Sequence, residues 1–237
     1  MTAFFQRCRD PHLLWPLALA PFLALLFEAT PLDRALIAVY YDASRHVFPL
    51  RDDLLLQTVM HSGMKLLVIS IAFAVLGAFM LTYLLPQWGL HRRRLLWVVA
   101  GMAGSSLLVS VLKHGSTQHC PWDLAEYGGY APFHSLFGSL AEGIAAGHCF
   151  PGGHASGGFA LMAIYFALRD MHGRAAGLTL AAAVTAGLAM GWSQMMRGAH
   201  FMSHNLWSAW VVWTYLAVQS AVFPPGACRL LPSQQSR

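Results

Sequence analysis

The chain is expected to be an all-α, polytopic membrane bundle of six transmembrane helices with a polar site facing outward. Three observations carry this. The 237 residues are 57% hydrophobic and only 11% charged, against about a quarter charged in an ordinary soluble domain. Apolar runs recur along the whole length. The charges between the runs alternate in sign from one side to the other. A mean hydropathy of +0.51 agrees. The pI of 9.3 is not a sign of nucleic-acid binding, because the basic residues sit between apolar runs and form no continuous basic face.

The runs set the spans. A membrane-crossing helix needs about 20 apolar residues, within roughly 17–25. Leu66–Leu85, Leu95–Leu112, Ala175–Met196 and Asn205–Phe223 reach or approach that length. Leu13–Phe27 is shorter and contains Pro16 and Pro21, and Ala155–Leu168 opens on a glycine-rich stretch. A cleaved signal peptide is disfavoured for the first run, because no small-residue cleavage site follows it cleanly.

Charge decides whether the short runs count. With six spans and both termini cytoplasmic, the inner segments carry Arg7, Arg9, Arg92, Arg93, Arg94, Arg169, Arg174, Arg229 and Arg237 against Asp10 and Asp170, a net of +7. The outer segments carry Arg34, Arg45, Arg51, Lys65, Lys113 and Arg197 against eight acids, a net of −2. This is the positive-inside asymmetry. It predicts a bacterial-type inner (plasma) membrane location, with the site on the periplasmic side.

The whole chain reads as one domain, 1–237. Residues 29–64 form an outer interfacial segment, 114–153 an outer active-site loop and 224–237 a cytoplasmic tail. In the first of these, Leu32, Leu36, Val39 and Tyr40 fall on one helical stripe. The patch Leu54–Met60 is expected to lie on the bilayer as an interfacial helix without a catalytic part. Cys8 and Cys228 fall inside. Cys120 and Cys149 fall outside and are expected to form a disulfide in an oxidising compartment. Trp207, Trp210 and Trp213 are expected to pack or to face lipid.

Three clusters border the outer ends of spans: Lys113–Asp123, His148–Gly157 and Ser193–His204. The topology comes from charge alone, yet all three land on one face. Ionisable groups meeting at membrane-helix ends are functional candidates. Gly152-Gly153-His154 opens a helix, where uncovered backbone N–H groups bind anions. Lys113 and Arg197 add cations. His200 and His204 share a face if a helix begins there. Histidines that serve as nucleophile or general acid at neutral pH complete a phosphoryl-transfer site with no obligatory metal or cofactor. A zinc reading of the His/Cys set lacks a close ligand spacing. The alternatives for Lys113 and Arg197 are snorkelling or interfacial anchoring, and His204 has an alternative as a capping or packing residue.

The clusters resemble the type 2 phosphatidic acid phosphatase family, which is related to the vanadium haloperoxidases and carries K-x6-R-P, P-S-G-H and S-R-x5-H-x3-D. Lys113 and Pro121 match the first motif, with Cys120 at its arginine. Pro151, Gly153 and His154 match the second, with Gly152 at its serine. Ser193 and His200 match the third, with Gln194 at its arginine and His204 at its aspartate. The resemblance implies His200 as nucleophile forming a phosphohistidine, His154 as general acid, and His204 in the place of the residue that orients the nucleophile. It also implies that Lys113, the Gly152 and Gly153 amides and Ser193 hold phosphate oxygens. Arg197, one turn beyond Gln194, is expected to supply a missing cation. The implied substrate is a lipid phosphomonoester or diphosphate in the outer leaflet. The rival readings are phosphate transfer from undecaprenyl diphosphate to lipid A, and a catalytically silent binder on the same scaffold.

Overall fold

The protein is described by a computed structural model over residues 11–226. Arg7, Cys8, Arg9, Asp10, Cys228, Arg229 and Arg237, with most of the 224–237 tail, lie outside the described residues. The rest is all-α. Helices α1 (Pro11–Ala29) and α2 (Leu32–Ala38) are followed by a π-helix (Leu56–Gly63) that runs into α3 (Met64–Leu84). A 3₁₀ turn leads to α4 (Arg92–His114), and a long loop then precedes the short pair α5 (Gly153–Ala160) and α6 (Met162–Leu168). Helices α7 (Gly173–Met196) and α8 (Met202–Val222) complete the bundle. Among the described residues no strand forms, and only two isolated bridges occur, Asp42 with Val47 and Leu124 with Ala131.

Among the described residues, four segments are long and apolar enough to cross a membrane: Pro11–Ala29, Leu56–Leu84, Pro86–His114 and Gly173–Met196. Gly153–Leu168 is a shorter apolar stretch. The helices are apolar all round rather than amphipathic, and Phe73, Leu107 and Leu178 stand fully outward, as lipid-facing residues do.

The core runs through the middle of the bundle. Trp97, Met102 and Val109 of α4 meet Phe159 and Phe166 of α5 and α6, Met190 of α7, and Val212 and Leu216 of α8. Helix α5 is central and packs on α4, α7 and α8. Its approach to α7 is backbone against backbone, since a Cβ on Gly158 would stand 2.5 Å from Gly187 N. Small residues at such crossings let helices close without a hydrophobic drive from water.

Helix α1 shows why two prolines are tolerated in a span. Pro16 has no N–H, so the carbonyl of His12, four residues earlier, loses its α-helical partner. Trp213 Nε1 donates to that carbonyl at 3.1 Å, and Trp210 Nε1 donates to Pro16 O at 2.9 Å. These tryptophans therefore dock α1 on α8, in line with the packing role expected of them.

A second, smaller core caps the end that carries the histidines. Ile37 and Phe48 of the 29–64 segment pack with Leu124 and Tyr127 of the long loop, and with Met195, Phe201 and Met202 at the α7–α8 junction. The expected stripe of residues 31–64 is corrected here. Ile37 is the buried residue, Leu36 and Tyr40 pack beside it, and Val39 is exposed. The patch Leu54–Met60 is corrected as well. From Leu56 it continues without a break into α3 as the start of a span, and it packs on α7, because its register carries it down the bundle rather than along the surface.

Candidate active site

The site is assembled where four helix ends meet. Helix α4 ends at His114, so Lys113 projects from its last turn. Helix α5 starts at Gly153 with Gly152 as its extended N-cap. Lys113 lies over that start: a Cβ on Gly153 would sit 3.7 Å from Lys113 Cδ and 3.8 Å from Nζ. The ammonium therefore stands at the positive end of a helix, a pairing that is unfavourable until an anion lies between them.

The disulfide ties the first two clusters together. Cys120 and Cys149 are bonded, with Cα atoms 5.2 Å apart across 29 residues, as the side-sorting of the cysteines implied. Around it the two arms of the loop run together, Cys149 N–H donating to Gln118 O at 2.9 Å and His148 N–H to Ser116 O at 3.2 Å. The third cluster joins through Trp122 N–H donating to Gly198 O at 2.9 Å. Gly198 sits at φ +76°, and a Cβ there would strike the Phe48 ring at 2.5 Å, so glycine is required twice over.

That glycine ends α7. The helix stops at Met196, and α8 begins at Met202. Gln194, Arg197 and His200 thus do not form the continuous ladder that one uninterrupted helix would make, and His200 lies just ahead of α8 rather than on it. The chain reversal still brings the pair together, with His200 Nδ1 3.4 Å from His204 Nδ1 and 3.3 Å from Cys149 Sγ. Both imidazoles are buried. Burial first, then the charges of His204, Lys113 and His154, hold the His200 imidazole well below the usual histidine range. It is therefore neutral at pH 7, the form with a lone pair to attack.

Three expected phosphate contacts are placed differently from one another. The Gly152 N–H donates to the His204 carbonyl at 2.9 Å, which ties the α5 start to α8 and leaves Gly153 as the uncovered end. The Ser193 hydroxyl donates back to Met190 O at 2.8 Å and accepts from Gln194 Nε2 at 3.4 Å, so its hydrogen is not free for a phosphate. Arg197 is buried: its Nε donates to Arg51 O at 2.8 Å and one Nη to Gln194 Oε1 at 3.3 Å. Its guanidinium is thus turned inward against Arg51 and Gln194. Cys120, Cys149 and His200 bring three potential metal-donor atoms within 4.8 Å, but the two sulfurs are bonded to each other, which leaves one imidazole.

Four residues of this neighbourhood were not legible as site residues in the sequence. His61 stacks on His154 with ring centroids 4.4 Å apart, and the Met60 carbonyl accepts from His154 Nε2 at 2.9 Å. His61 lies at the same end of the bundle as the other clusters, a signal masked when its run is read as interfacial. Asp33 Oδ1 accepts the Ser203 N–H at 2.9 Å and caps α8 from another helix. Asn205 is buried against Gly152 and Gly191. No sequence spacing announces the last two contacts.

A helical protein with membrane-length apolar helices and a cation-flanked histidine cluster at a helix start belongs to the class built to handle phosphate groups. A family profile described as the PAP2 superfamily matches residues 94–224, more than half of the chain, and the chain belongs to that superfamily. Its members are phosphatases, which supports a phosphoester hydrolase in general terms. No curated protein and no solved structure matches the chain.

Proposed function

We propose that the protein is a six-span lipid-phosphate phosphatase that hydrolyses a phosphomonoester or diphosphate of an amphiphile on the periplasmic side of an inner membrane. The observation that carries this reading is the convergence of neutral His200, His204 and Lys113 on the start of α5, beside His154.

The tautomers follow from the contact between the two imidazoles. One Nδ1 must donate and the other accept. For His200 to attack, its Nδ1 carries the hydrogen and His204 Nδ1 accepts it, at the long end of hydrogen-bond distance. Nε2 of His200 is then the nucleophile. Its lone pair bonds to phosphorus as the bond from phosphorus to the lipid oxygen breaks, and His154, which has taken up a second proton as the imidazolium beside the bound phosphate, gives that oxygen its Nδ1 proton and becomes neutral. Lys113 and the Gly153 N–H balance charge on the phosphate oxygens, with Arg197 as a second cation. Water then attacks the phosphohistidine, His154 takes a proton from it, and inorganic phosphate leaves. His204 accepts a hydrogen bond where a carboxylate would also add charge, so the nucleophile here is oriented more than it is activated.

The test is purified protein in nanodiscs presented with labelled phosphatidate, phosphatidylglycerol phosphate and undecaprenyl diphosphate. Release of phosphate together with an acid-labile label on the protein, lost in His200→Ala, is the expected result. No release and no labelling from any of the three ends the phosphatase reading. Label appearing on added lipid A instead of in solution makes the protein a phosphotransferase.

A further inference from the structure

The second span does not begin as an α-helix. Leu56–Gly63 is π-helical, and Met64 N–H bonds the carbonyls of His61 and Val59. The α-type bond from Met64 N–H to the Met60 carbonyl is therefore not made. π-Turns inside helices gather at functional sites, and here the geometry has a visible consequence. The Met60 carbonyl turns to His154 and meets its Nε2 at 2.9 Å. A carbonyl oxygen only accepts, so Nε2 carries the hydrogen and Nδ1 is the nitrogen left to exchange a proton. The next residue, His61, lays its ring over the same imidazole, with planes 24° apart. Its Nδ1 is buried without a hydrogen-bond partner. Polar satisfaction therefore does not account for the place of His61; the stack does.

We infer that the Met60–His61 π-turn is the orienting device for His154: the Met60 carbonyl selects the tautomer, and the His61 ring holds the plane. His61 is a positioning residue, and Nδ1 of His154 is the nitrogen that takes up a proton when the phosphate anion binds and then delivers it to the leaving oxygen. This rests on the reading of His154 as general acid.

The experiment uses the full chain in nanodiscs with 15N-labelled histidine, the His154 signals being identified by their loss in His154→Gln. The native protein is expected to show His154 as a single Nε2–H tautomer. In His61→Ala and in His61→Leu, which keeps apolar volume without a planar ring, both tautomers should appear. In the same variants kcat should fall about tenfold with KM unchanged. His61→Phe, which restores a flat ring, should recover the single tautomer and most of kcat. A native His154 whose neutral form carries its hydrogen at Nδ1 overturns the inference, as does an unchanged tautomer and kcat in both His61→Ala and His61→Leu. If native protein releases no phosphate from any lipid, the functional reading has failed, and the tautomer measurements decide the positioning claim alone.

Discussion

Arg197 is held at two points, the Arg51 carbonyl and Gln194 Oε1. A guanidinium satisfies both with separate N–H groups in a fixed plane and still has donors left for a phosphate. An ammonium at the end of a flexible stem reproduces neither the plane nor the reach. Arg197→Lys is therefore expected to lower kcat/KM by about 10–100-fold, close to the loss in Arg197→Ala. Steady-state assays in which Arg197→Ala keeps native activity would return Arg197 to a packing role. Asp33, half-buried against the start of α8, is the other charge that acts at a distance. Burial, opposed by hydrogen bonds from Ser203 and Met202 and reinforced by Glu28, pushes its carboxyl up to about 6. A folded value above the unfolded one favours the protonated form. The cost of ionised Asp33, at most about 3 kcal/mol, is thus fully present above pH 6 and gone below the ordinary carboxylate value. Asp33→Asn keeps an acceptor for the Ser203 N–H without the charge. Its melting temperature should exceed that of the native protein at pH 7.5, with the difference shrinking as pH falls toward 4. A difference that does not vary with pH rules this account out.

At the scale of elements, the site depends on three joints between helices. The α7–α8 joint needs Gly198, the α5–α8 joint uses the Gly152 N–H on the His204 carbonyl, and the α4–α5 joint is the disulfide. Closing a loop of this length restricts the unfolded chain by about 3–4 kcal/mol in the chain-entropy picture. The same bond places Cys149 Sγ beside His200 Nδ1. The double variant Cys120→Ser/Cys149→Ser is therefore expected to melt several degrees lower and also to lose turnover at temperatures where it is still folded. Thermal unfolding followed alongside activity separates the two effects. A variant less stable but fully active would show that the bond only braces the loop. Much of this scale was legible beforehand, since the two cysteines sorted to one side by charge alone. The helix break before His200 was not legible, because nothing in the spacing from Gln194 to His204 distinguishes a continued helix from a reversal.

For the whole molecule, the proposed orientation puts the site histidines outside and the opposite end of the bundle in the cytoplasm. The Arg94–Asp170 pair, with two contacts at 2.8 and 2.9 Å, closes the end opposite the histidines. That end also holds a mostly apolar cavity of about 550 Å³ bordered by Trp88, His91 and His172, and none of the site residues reaches it. The orientation predicts that a fluorescent protein fused after Arg237 glows. It also predicts that an alkaline phosphatase fused within 130–145 is active and one fused within 170–173 is not. The reverse pattern would place the histidines in the cytoplasm and exclude an outer-leaflet substrate.

Composition, run length and the sign of the loops were enough to specify an all-α chain with membrane-length helices, and the three ordered motifs were enough to specify its superfamily. These are properties of single segments, and each residue contributes to them independently of what it touches. Tertiary structure decided what depends on two segments meeting. It turned the Leu54–Met60 patch into the top of a span and set His61 and the Met60 carbonyl on His154. It drew Arg197 inward to Arg51 and engaged the Gly152 amide with the His204 carbonyl. A hydrogen bond between residues 94 positions apart, or a ring stack between His61 and His154, leaves no periodicity for a sequence to display. It exists only because packing of apolar helix faces brings their polar ends to the same few ångströms.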